Sequence, residues 1–276
     1  MKKILTVVSV IFVLVLAACG NSDEDSGSEN TKEITVGASS TPHAQILEQA
    51  KPILKEKGIT LNIEEYQDYV LPNEDLKSGT LDANYFQHIP YLEKQIADIG
   101  YDFKHIGGIH IEPMGVYSKT INSVDDIKDG TEVIMSRSVA DHGRILALFE
   151  REGLIKLDES VDKVDATVDD IIENPKNLKF SADVDAALLP ELYNSEENAL
   201  VAINTNYAIG AELNPLEDAL FIEGEESPYV NVIAVRSEDK DNEVLNTLVD
   251  VLHSKEIQDF IIEEFEGAVV PVGGEE

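Results

Sequence analysis

The stretch ITVGASSTPHAQILEQAKPILKEKGITLNI (34–63) decides the fold class. Ile34-Thr35-Val36-Gly37-Ala38 is short and rich in β-branched residues, and it reads as a strand. After Pro42-His43, apolar side chains return at Ile46, Leu47, Ala50, Ile53 and Leu54, the spacing of one helix face, and Gly58 closes the run. Pro52 falls inside that pattern; without an N–H it predicts a kink or a second helix start. Leu61-Asn62-Ile63 then alternates as a strand. Strand, helix and strand in succession are the signature of an α/β protein.

The alternation continues outward. Ile89 to Ile99 reads as a helix, and Ile106 to Tyr117, with three glycines and a proline, as an irregular strand. Thr131 to Met135 reads as a strand, Val139 to Glu152 as a helix, and Thr167 to Ile172 as a short helix capped by Thr167 with Asp170. Ala199 to Ile203 and Tyr229 to Val235 are further strands, and Asn242 to Phe265 is helical. Two α/β lobes fit 276 residues better than one very wide sheet. The expected division is 33–117, with 229–276 returning to it, against 118–228. Ligands bind where such lobes meet, and hinge closure traps them.

The chain carries 21 Lys and Arg against 54 Asp and Glu, a formal charge of −33. Nucleic-acid binding relies on clustered cations and is excluded. The single cysteine, Cys19, excludes an internal disulfide framework. Lys2 and Lys3 precede an apolar run from Ile4 to Ala18 that is shorter than the roughly 20 residues a membrane span needs, so 1–18 reads as a secretory signal. Leu16-Ala17-Ala18-Cys19 resembles the lipobox of bacterial lipoproteins, which implies acylation of Cys19 and a location on the outer face of the cell membrane. Residues 20–32, without a large apolar side chain, read as a flexible tether with a reach of about 20 Å. Loss of the signal would take the charge from −33 to −35. Self-repulsion of that acidic coat is relieved by salt, so the thermal midpoint is expected to rise with ionic strength. A flat or falling midpoint in a salt series would refute this.

The most unusual segment is Asp82-Ala83-Asn84-Tyr85-Phe86-Gln87-His88, preceded by Asp68-Tyr69-Val70-Leu71-Pro72-Asn73. Aromatics beside an amide and an imidazole fit either a turn and core or the wall of a pocket. The stretches DYVLPN (68–73), LDANYFQHIPYL (81–92), HIEPMGVYSK (110–119), ENPKNLKF (173–180), NTNYA (204–208), PYVNVIAVR (228–236) and GAVVPV (267–272) resemble, in order, the methionine-binding lipoproteins of the NlpA type.

The resemblance implies a periplasmic-binding-protein-like (type II) clamshell with its ligand cleft between the lobes. It also implies a monomeric, non-enzymatic protein without a cofactor that delivers methionine, as L- or D-isomer or within a dipeptide, to the permease and ATPase subunits of an ABC importer. Tyr69, Phe86 and His88 match the positions that enclose the ligand side chain, and a thioether sits well against aromatic rings. Arg144 matches the arginine that holds the ligand carboxylate, which a guanidinium fork fits. Asn206 and Asn231 match the asparagines at the ligand's amino and carboxylate ends.

By residue type alone, Arg144 in an apolar helical run fits a surface salt bridge, Asn206 a helix cap, Asn231 a half-exposed strand position, and Tyr69 and Phe86 a core. His88 beside Pro90 fits a cap of the next helix. Ser136 to His142 departs from the family, which often carries a polar stretch with Asn there; Asp141 or His142 near the cleft would favour a cationic end group. Competing readings are a zinc-binding lipoprotein, since His110 and Glu112 share a strand face, and a surface lipoprotein without a transport role. No nucleophile elbow or HExxH motif supports a hydrolase.

Overall fold

The structure is a computed structural model that describes residues 32–224 and 227–274. The signal segment, Cys19 and the tether lie outside the described residues, except Lys32, which opens the first strand. Among the described residues no helix is long and apolar enough to cross a membrane.

The strands are β1 (Lys32–Ser39), β2 (Ile59–Tyr66), β3 (Ala83–His88), β4 (Phe103–Ile111), β5 (Gly115–Tyr117), β6 (Glu132–Ser136) and β7 (Lys156–Leu157). There follow β8 (Ile171–Glu173), β9 (Lys179–Val184), β10 (Leu200–Ile203), β11 (Phe221–Ile222), β12 (Val230–Arg236) and β13 (Val270–Pro271). The helices are α1 (Gln45–Glu56), α2 (Leu71–Ser78), α3 (Ile89–Ile99), α4 (Val139–Arg151), α5 (Leu189–Ser195), α6 (Thr205–Gly210), α7 (Pro215–Asp218), α8 (Glu243–Leu252) and α9 (Lys255–Phe265). One sheet has the order β13-β4-β12-β3-β1-β2 and the other β11-β5-β10-β6-β9; β7 and β8 form a separate ribbon.

Each sheet is apolar on both faces. In β12, Ile233 and Val235 join a core with Ile46, Leu54, Leu248 and Ile261, while Val232 and Ala234 join Leu76, Leu92 and Phe103 on the opposite side. In β10, Leu200 and Ala202 pack with Phe149, and Val201 and Ile203 with Leu189. The period of two therefore feeds a core on either face, the arrangement of a sheet covered on both sides.

Several expectations are corrected. The first helix runs unbroken through Pro52, whose ring is exposed. A proline costs about 3 kcal/mol inside a helix, whereas burial of Ile46, Leu47 and Leu54 returns roughly 1.5–3 kcal/mol each. Thr167 and Asp170 do form a capping box, but the helix is a single 3-10 turn and Ile171 and Ile172 belong to β8. The C-terminal helix is two, α8 and α9, separated at His253 and Ser254. Residues 83–88 are a fully buried strand of the first sheet.

The chain passes between the sheets at 112–114 and again after β11. Gly115–Tyr117, expected with the first lobe, thus belongs to the second sheet. The two passages touch: the Glu223 N–H donates to the Met114 carbonyl at 2.9 Å, and the Met114 N–H to Glu223 Oε2 at 3.2 Å.

Candidate functional site

Strand ends build the site. Register places Asn231 at the start of β12 opposite His88, at the end of β3, and opposite His110, near the end of β4. His43 follows the end of β1. From the second sheet, β6 leads into α4, which carries Asp141 and Arg144, and β10 leads into Asn204, Thr205 and Asn206. Apart from Asn231, at the start of the antiparallel strand β12, these residues lie at or just beyond carboxyl ends of strands, where open α/β sheets bind ligands.

Tyr69, Phe86, His88, Arg144, Asn206 and Asn231, the six positions marked by resemblance, all line one cavity. Gln87, Tyr91, Glu112, Asp141, Asn204 and Thr205 complete its wall. One end is aromatic: Tyr69 lies 6.1 Å from Phe86, 6.1 Å from Tyr91 and 5.1 Å from Tyr207, ring centre to ring centre. The other end is ionic. Arg144 is buried; its Nη2 donates to the Glu112 carbonyl at 2.7 Å and its Nε to Glu223 Oε2 at 3.1 Å. Nη2 also pairs with Glu223, and the guanidinium carbon sits 4.3 Å from the Tyr229 ring centre. The surface salt bridge that residue type alone suggested for Arg144 is not what forms.

The expected two-pronged grip of Arg144 on a ligand carboxylate needs revision, because the Nε–Nη2 edge of the guanidinium is occupied by Glu223. Nη1, 3.8 Å from Asp141 Oδ1, is the nitrogen left to meet an anion. Glu223, with Asp141 adding, more than offsets burial and holds the Arg144 guanidinium above its usual range, so it stays charged.

His88 fits both readings at once. Its Nδ1 accepts the Tyr91 N–H at 3.1 Å, capping α3. The proton therefore sits on Nε2, which donates to Asp141 Oδ1 at 3.1 Å. Burial would raise the Asp141 carboxyl, but the hydrogen bond from His88, with the Arg144 charge and Asn204, outweighs it and holds the group below its usual range. Asp141 thus lies on the cavity wall, while His142 turns its Nε2 to the Ser136 carbonyl at 2.9 Å. Asn206 is inside α6 rather than its cap; Asn204 holds the cap position. Tyr69 donates its hydroxyl to Asn206 Oδ1 at 2.6 Å. Asn231 is buried, and its Oδ1 meets His43 Nε2 at 3.1 Å.

Behind the wall, His43 and His110 converge on Glu112. Burial pushes His43 down to about 4 and His110 to about 3, so both rings are neutral near pH 7. Burial lifts the Glu112 carboxyl above its usual range, against the pull of His43 and Arg144. Because the unfolded chain takes up protons at 6.5 that the folded histidines refuse, their stabilising effect is complete above pH 6.5 and drains as pH falls towards 4. Each ring removes up to about 1.4 kcal/mol per pH unit in that window. Glu112 softens the loss, since its folded form takes a proton early. Urea midpoints at pH 7, 6, 5 and 4 are expected to fall steadily below 6.5; a midpoint constant to pH 4.5 would contradict the assignment.

A polar cavity walled by the strand ends of two α/β sheets, with both chain passages beside it, is the architecture of a substrate-binding protein. The profile of the NlpA lipoprotein family matches residues 34–273, and the chain belongs to that family. It is 47% identical to the methionine-binding lipoprotein MetQ of Bacillus subtilis over 276 residues, 99% of each chain. The crystal structure of a pheromone cOB1 precursor/lipoprotein of the YaeC family from Enterococcus faecalis superposes with a TM-score of 0.85 at 49% identity, covering 87% of this chain and 100% of that one. A nutrient-binding protein from Burkholderia cenocepacia, solved bound to methionine, gives a TM-score of 0.82 at 40% identity, with the same coverage.

The resemblance, rather than residue type, picked out six wall positions. It did not reach Glu112, Asn204 or Thr205, although all three lie inside quoted motifs, HIEPMGVYSK and NTNYA.

Proposed function

We propose that this chain is a membrane-displayed receptor that encloses methionine and hands it to an ABC importer. The observation that carries the reading is the cavity's polarity: a guanidinium nitrogen and carboxylates at one end, Tyr69, Phe86 and Tyr91 at the other. That order fits an amino acid with its zwitterion at the ionic end and its thioether among the rings, where each sulfur–aromatic contact contributes about 0.3–1.5 kcal/mol. The names of the relatives support methionine as the ligand. Arg144 Nη1 takes the carboxylate; Asn206 and Asn231 orient the two ends; His88 and Phe86 flank the side chain.

The lobes divide at 112–114 and at Glu223 beyond β11, and these passages form the hinge. An open form samples closure, and the ligand, touching both lobes, shifts the population to the closed one. Acylated Cys19 holds a monomer at the outer face of the membrane, where permease and ATPase subunits receive the cargo, and no bond of the ligand is broken. Mass spectrometry of small molecules released from the purified, denatured protein tests this. Methionine at about one equivalent is the expected result; a different compound, together with calorimetric silence towards both methionine isomers, would overturn it.

A further inference from the structure

Glu112 is buried, lines the ligand cavity and, among the described residues, has only histidines within salt-bridge distance of its carboxylate. Its Oε2 accepts the Asn206 N–H at 3.0 Å. Its Oε1 faces His110 Nε2 at 2.8 Å and His43 Nε2 at 3.2 Å. Tyr85, a fully buried phenol, meets His110 on the other ring nitrogen. His43 Nε2 also faces Asn231 Oδ1, so both rings turn Nε2 towards acceptor oxygens and must carry their proton there. The pair supplies hydrogen bonds without supplying charge.

Asp141, the other carboxylate on the wall, differs in kind. Arg144 Nη1 stands 3.8 Å away, and His88 and Asn204 donate to it. Its charge is answered within the protein. A carboxylate withdrawn from water whose direct partners are all neutral, with Arg144 acting on it only from beyond ion-pair distance, is costly to bury, and a site that keeps one is suited to an incoming cation. A second observation points the same way: Asn204 Oδ1 is buried without a hydrogen-bond partner among the described residues, on a residue of the same wall. The remaining amide acceptors are engaged, Asn206 Oδ1 by Tyr69 and Asn231 Oδ1 by His43.

We propose that Glu112 receives the primary ammonium of the ligand, with Asn204 Oδ1 as second acceptor, and that His43 and His110 are positioning residues that hold the carboxylate in place. This rests on reading the cavity as an amino-acid site and names the group that recognises the amine. The competing use of the same side chains is a divalent metal, since the ligand atoms of His43, His110 and Glu112 lie within 4.8 Å of one another. That would require both Nε2 lone pairs, rather than their protons, to face inward.

Calorimetry with L-methionine and with 4-(methylthio)butanoate, which lacks only the amine, separates the cases. Glu112→Gln is expected to weaken methionine about 30-fold or more while changing the amine-free analogue by less than about threefold. His110→Gln should give the same selective loss in smaller measure. Equal losses for both compounds would mean a structural role and overturn the proposal, as would unchanged methionine affinity. One equivalent of zinc retained by the unaltered protein after dialysis would overturn it in favour of a metal site. If Glu112→Gln does not fold, Glu112→Asp keeps the charge but withdraws it by one methylene, and the same selective loss is expected. An unaltered protein that ignores methionine altogether would sink the reading of the cavity as well, and so is distinguishable from failure of Glu112 alone.

Discussion

Arg144→Ala is expected to lower methionine affinity by at least about 100-fold and unfolding stability by about 3–5 kcal/mol, the penalty for leaving a buried charge without its partner. Two effects combine. The ligand carboxylate loses its cation, and Glu223 and Asp141 lose the charge that faces them. The second also occurs without ligand, so urea unfolding of the ligand-free protein should register it. Arg144→Lys should rescue little, because an ammonium cannot reach the Glu112 carbonyl and Glu223 while presenting a further nitrogen to the cavity. Calorimetry with affinity within about threefold of the unaltered protein would remove Arg144 from the ligand.

Gly143→Ala is expected to be the most damaging one-carbon change. A Cβ at Gly143 would lie 2.2 Å from the Lys163 carbonyl oxygen and 2.5 Å from that of Val164. Both are backbone atoms and cannot rotate away, so α4 or the 163–164 segment must shift; overpacking of this kind costs about 1–3 kcal/mol. The neighbouring guanidinium shifts with the helix, so methionine affinity should fall about tenfold or more even where the protein remains folded, because misplacement of a charged contact by a fraction of an ångström is expensive. A crystal structure of the variant with Arg144 in place and affinity unaltered would contradict this.

The sequence was legible where periodicity is strong. Ile89–Ile99 matches its expected bounds, and the strand–helix–strand order of 34–63 holds despite Pro52. Strand β3 escaped because all six of its residues are buried, which erases alternation between inside and outside. Strands β7 and β11 are two residues long and leave no period to read. At the site, Arg144 and the aromatic end stood out by their match to the family's motifs, not by residue type. Glu112 had no such mark: the sequence paired it with His110 only as a possible zinc site, and among 54 acidic residues nothing ties one carboxylate to the ligand until contacts are known. Only the fold brings it beside His43, which lies in a different part of the chain.

The cross-cleft bonds from Tyr69 to Asn206 and from His88 to Asp141 bear on timing as well as on shape. In the proposed clamshell these two bonds, with that from the Tyr207 hydroxyl to the Gln67 carbonyl, must break before cargo leaves, so its residence time is expected to follow the rate at which the halves part. At about 0.5–1.5 kcal/mol each, any two such bonds rupturing together slow escape by roughly five- to 150-fold. In the clamshell we propose, cargo is held between encounters with a transporter and released when the halves part.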